Sequence, residues 1–84
     1  MERTYGAFVL SVSLPRDPMF RRFVADYVVP PREINADDAA EFIKLAVGVE
    51  SRNVLKTDRR AQERFHEILM KPYSAWRARQ LEHA

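Results

Sequence analysis

Few residues in this chain could do chemistry, and their spacing gives each an ordinary explanation. Two histidines are present, His66 and His83. A zinc-protease helix carries two histidines one turn apart around a glutamate, and here only His66 is followed by Glu67. Asp37 and Glu41 are spaced to share one helix face. A hard divalent cation wants about six or more oxygens, arranged by a loop. Acidic residues in a first helical turn are better explained as partners of the positive end of the helix dipole. Ser11, Ser13, Ser51 and Ser74 have no base or orienting group beside them in sequence. Gly6 and Gly48, the only glycines, lie too far apart to build a phosphate-cradling loop. With no cysteine, a disulfide scaffold, a thiolate zinc site and a cysteine nucleophile are excluded. The expectation is a protein that is not an enzyme and uses no metal or cofactor.

Recognition by contact is the other chemistry on offer. On a helix from residue 73, Tyr73, Trp76, Arg77 and Gln80 share one side. Trp, Tyr and Arg dominate binding hot spots, because each buries a large area and keeps a polar handle. Alternatively, Tyr73 and Trp76 fold back over the core, since a small domain needs every large apolar group it has. Tyr73, Trp76, Arg77 and Arg79 are the expected partner-binding residues, with Arg59, Arg60 and Arg64 as lesser candidates. Those arginines could also meet phosphates, but Glu63 and Glu67 are interspersed among them and can neutralise part of the charge.

The elements that must position these residues come from a chain of 84 residues, short enough to read as one domain over residues 1–84. A net charge of +2 is too small to define a nucleic-acid binder. Residues 36–58 are the acidic part, at −2, and residues 59–84 the basic part, at +3. Phe8, Leu10, Val12 and Leu14 alternate with Val9, Ser11 and Ser13, which predicts an N-terminal β-strand. Asp17-Pro18 opens a helix whose apolar face is Phe20, Phe23, Val24, Tyr27 and Val28. Asn35 and Asp38 mark a capping box, and Gly48 the stop, of a second helix buried through Ala39, Ile43 and Val47. Thr57 or Asp58 caps a third, buried through Ala61, Phe65, Ile68 and Leu69, which Pro72 stops or kinks. Residues 49–56 fit a strand, a helix or an extended connection. The fold class expected is α+β, mainly helical, with one N-terminal strand and three to four amphipathic helices.

A lone strand needs a neighbour. Residues 49–55, a second copy in a homodimer, or a foreign partner could supply it. The apolar run at residues 5–14 is about half the length of a membrane helix, so no membrane partner is expected and the default is cytoplasmic. Val29, Phe42, Leu45 and Trp76 are among apolar residues beyond what one small core needs, and such a surplus marks association surfaces. The preferred function is a small non-catalytic binding protein, an inhibitor, adaptor or regulator, that occupies a surface of a larger protein or protein complex.

The stretch Leu10-Ser11-Val12-Ser13-Leu14-Pro15, followed by an amphipathic helix, resembles the opening of ribbon-helix-helix repressors. That resemblance implies a dimeric DNA-binding regulator, with Val9, Ser11 and Ser13 as the outward residues in the major groove. None of the three is an arginine or lysine able to grip guanine.

Overall fold

The computed structural model describes residues 6–30 and 32–82. Met1–Tyr5, Pro31 and the pair His83 and Ala84 lie outside the described residues, so nothing structural bears on His83. Every regular element among the described residues is helical, which corrects the α+β expectation.

Where alternation predicts a strand, the chain forms α1, Ala7–Ser13. Its buried positions are Ala7 and Ser11, with Leu14 just beyond, a spacing that follows a helix and not a strand. Phe8 and Leu10 are half-buried, while Val9 and Val12 face outward. Two small residues at the contact let the backbone of α1 approach its neighbours closely. Burial of that stripe overrides the strand preference of Val9 and Val12. The Ser11 hydroxyl is satisfied locally, donating to the Phe8 carbonyl at 2.6 Å. Arg52 donates to the Ser11 carbonyl at 2.9 Å, setting a cation at the negative end of α1. Arg52 belongs to a short 3-10 helix, Arg52–Lys56, that packs on α1. Residues 49–55 are thus a neighbour of α1, but no ladder joins them. The strand-mediated homodimer, the edge-added partner and the strand-first DNA reader all lose the strand they required.

A 3-10 turn, Leu14–Arg16, leads into α2, Pro18–Ala25. Asp17 caps α2 by accepting from the Met19 N–H at 2.9 Å, and Pro18 sits where a missing N–H costs nothing. Phe20, Phe23 and Val24 are buried. The helix ends sooner than its apolar pattern suggests, so Tyr27 lies past the last turn and is 59% exposed. A connection containing the cis Val29-Pro30 bond leads to α3, Ala36–Val47. The capping box forms: Asn35 Oδ1 accepts from the Asp38 N–H at 2.8 Å, and Asp38 Oδ2 from the Asn35 N–H at 3.2 Å. Gly48 closes α3 at φ 79°, the left-handed conformation that glycine adopts freely.

The last third is one continuous helical rod over residues 59–82. It comprises α4, Arg59–Arg64, a π-helical segment, Phe65–Met70, and α5, Lys71–Glu82. Asp58 caps it, accepting from the Ala61 N–H at 3.2 Å. Pro72 neither stops nor breaks the rod. The buried residues Ala61, Phe65, Leu69 and Tyr73 recur every fourth position. Three such steps drift by about 120° around a regular 3.6-residue helix. The wider π turn removes much of that drift and keeps all four on the core side. There the Lys71 N–H reaches back to the His66 carbonyl, one residue further than in an α-helix. Ile68, assigned to the core by its spacing, is instead 48% exposed.

One cluster of buried side chains joins these elements, with Phe20, Ile43, Leu55, Phe65 and Leu69 at its centre. No helix among the described residues is long and apolar enough to cross a membrane.

Candidate interaction face

The surface that stands out is built where α2, α3 and α5 meet. Two aspartates flanking α2 each hold one aromatic residue of α5. Tyr73 Oη donates to Asp17 Oδ2 at 3.5 Å, and Trp76 Nε1 donates to Asp26 Oδ2 at 2.8 Å. Burial pushes the Tyr73 phenol above its ordinary pKa, and the Asp17 charge adds to the effect. The Phe23 ring sits among these groups. Its centroid lies 5.2 Å from Tyr27, 6.5 Å from Phe42, 5.2 Å from Tyr73 and 5.6 Å from Trp76, all edge to face. That arrangement suits the aromatic quadrupole.

The inner half of this cluster is core and the outer half is surface. Phe23 and Tyr73 are buried, whereas Trp76 and Phe42 are half-buried. Tyr27 lies 5.7 Å from Phe42, its ring largely in solvent. Val29 is 91% exposed and Leu45 75% exposed. Leu45 borders a groove of about 200 Å³, lined also by Val28 and Phe42 with Arg32, Asp38 and Glu41. Two ion pairs flank it, Arg32 to Asp38 at 2.9 Å and Lys44 to Glu41 at 3.2 Å. The Arg32 hydrogen bond, helped by the Asn35 N–H, holds the Asp38 carboxyl below the usual carboxylate range.

The residues singled out by sequence do not assemble into one patch. Tyr73 is 3% exposed and belongs to the core. Trp76 offers only the outer part of its ring. Arg64 Nε donates to the Val47 carbonyl at 2.9 Å, where it closes the end of α3. Arg59 and Arg60 are exposed at the start of the rod, and Arg77 and Arg79 are exposed near its end. At about 1.5 Å per helical residue, roughly 25 Å separates the two groups. Val9 and Ser13 are exposed on α1, but Ser11 is fully buried, so these three do not form the outward row that the repressor resemblance implied.

The remaining polar candidates are also placed. His66 is exposed with its ring edge-on to Phe65. Ser51 caps the 3-10 helix, accepting from the Asn53 N–H at 3.1 Å. Asp37 and Glu41 are both exposed in the first half of α3. No group of three metal-ligating side chains converges among the described residues.

Spacing alone puts Tyr27 on the buried face of α2 and leaves Val29, Phe42 and Leu45 as an unplaced surplus. The early end of α2 instead turns Tyr27 outward beside Phe42. The chain matches no protein-family model, no curated protein and no solved structure in comparisons with each.

Proposed function

We propose that this chain is a small non-catalytic binding protein, of the inhibitor, adaptor or regulator kind, which acts by occupying a surface of a larger protein. One observation carries it. Tyr27, Val29 and Leu45 are large apolar side chains left mostly in solvent; Tyr27 joins Phe42 and Trp76 around the Phe23 ring, and Leu45 lines the groove beside Phe42. Scattered exposed apolar residues need no explanation, but a contiguous aromatic group rimmed by charge is the composition of an interface centre. The absence of cysteine fits a reducing compartment, and the proposal includes a cytoplasmic site of action.

The test is capture of binding partners from a native extract on the immobilised chain, with nuclease treatment in one arm. Tyr27→Ser and Leu45→Ser should strip away the captured protein while the thermal midpoint stays close to that of the parent. Arg59→Ser and Arg60→Ser should leave capture intact. Captured material that disappears with nuclease, or that ignores the Tyr27 and Leu45 substitutions, would contradict this function.

A further inference from the structure

The charge map around the aromatic face determines what fits it. Residues 26–45 supply Tyr27, Val28, Phe42 and Leu45. They carry five acidic groups against two basic ones, a net of −3 within a chain whose total is +2. Both basic groups are already engaged, Arg32 with Asp38 and Lys44 with Glu41. Asp37 stands exposed in the first turn of α3, and Asp26, although bonded to the Trp76 indole, is exposed as well. Outside residues 26–45 the chain sums to +5. At the groove itself the two carboxylates Asp38 and Glu41 outnumber Arg32, while Arg77 of α5 brings one positive charge near Tyr73 at the inner edge of the cluster.

We propose that this face receives a basic amphipathic helix of the partner protein. Its apolar residues, spaced one helical turn apart, would seat against Tyr27, Phe42 and Leu45. Lysines or arginines on its flanks would meet Asp26 and Asp37 and compete with Lys44 for Glu41. A helix laid in a groove uses anchors of this spacing, and the described residues present no sheet edge to which a strand could add. Non-specific attraction cannot produce the same preference, because the rest of the chain repels cations. The identity of the occupant rests on the binding function proposed above, and the two fail separately.

The experiment uses three synthetic peptides of about 18 residues: an amphipathic Leu/Lys helix, its Leu/Glu counterpart, and a Leu/Lys scramble without an apolar face. Trp76 is the only tryptophan and stands at the edge of the face, so its emission reports binding, with calorimetry as a second readout. The Leu/Lys helix should bind on the order of tenfold more tightly than the Leu/Glu helix at low salt, and the difference should shrink as salt rises. Leu45→Ser should weaken it, and the double substitution Asp37→Lys with Glu41→Lys should abolish or reverse the preference. Equal binding of the two helices, equal binding of the scramble, or a preference unmoved by the charge reversal would overturn the proposal. A sedimentation mass that doubles with concentration and returns to the monomer value in Leu45→Ser would also overturn it, assigning the face to a second copy. Capture from extract that depends on Leu45 while all three peptides fail would leave the binding function standing and remove the basic helix as its occupant.

Discussion

The indole N–H of Trp76 donates to Oδ2 of Asp26 at 2.8 Å, across 50 residues of sequence. That bond ties α5 to the C-terminal end of α2 and fixes the indole edge-on to Phe23. It turns a side chain that could have been a free contact into part of the frame. The next residue along the chain, Tyr27, is the one left in solvent.

Trp76 is therefore expected to matter first for stability. Trp76→Ala should cost about 2 kcal/mol, less than for a fully buried tryptophan because part of the ring is already wet. Asp26→Ala should cost about 1 kcal/mol and shift the Trp76 emission to the red. Urea denaturation followed by tryptophan emission and by circular dichroism measures both. A Trp76→Ala midpoint equal to that of the parent would show that the indole is not holding α5 to α2.

Arg64 and Arg60 lie one turn apart on α4 and should behave differently. Arg64 satisfies the Val47 carbonyl at the end of α3, whereas Arg60 is exposed. Arg64→Ala should lower stability by about 1 kcal/mol, and Arg60→Ala by no more than about 0.5 kcal/mol. Thermal midpoints of the two variants compare them directly. Equal losses would mean that the cap on α3 contributes nothing.

Tyr73 contributes to a loss of stability at alkaline pH. Its phenol loses a proton less readily in the folded chain than at the model value of 10.0, because it is buried beside Asp17. The folded state therefore holds this proton more tightly than the unfolded state does. The associated stability is complete below pH 10 and is lost as pH rises through that value toward the higher folded pKa. Tyr73→Phe should flatten this alkaline decline when denaturant midpoints are measured from neutral pH to about pH 11. An unchanged alkaline slope in the variant would place its origin elsewhere.

The parts of the fold legible in the sequence are those fixed by local chemistry. Asp17-Pro18, the Asn35 and Asp38 box, Gly48 and Asp58 each start or stop a helix through their own side chain or backbone freedom, and the helices begin and end there. The N-terminal segment reads as a strand because the alternation of its larger residues is visible, whereas its buried contacts are made by Ala7 and Ser11, which carry little hydrophobic signal. Proline chemistry alone predicts a stop or kink at Pro72, but α5 continues through it, and the four-residue spacing of Ala61, Phe65, Leu69 and Tyr73 marks the wide turn that precedes it. The candidate face was half legible. Composition shows more apolar side chains than one core needs, but that Tyr27 is among those left outside follows from α2 ending at Ala25, which the apolar spacing does not reveal.

Site-specific photo-crosslinking in a native extract probes the central claim most directly, with a photoreactive residue at Leu45 in one variant and at Arg79 in another. Binding through the aromatic face predicts a discrete, nuclease-resistant adduct with a larger protein from position 45 and none from position 79. Adducts formed from position 79 but not from position 45, or an adduct at 45 that nuclease removes, would contradict it.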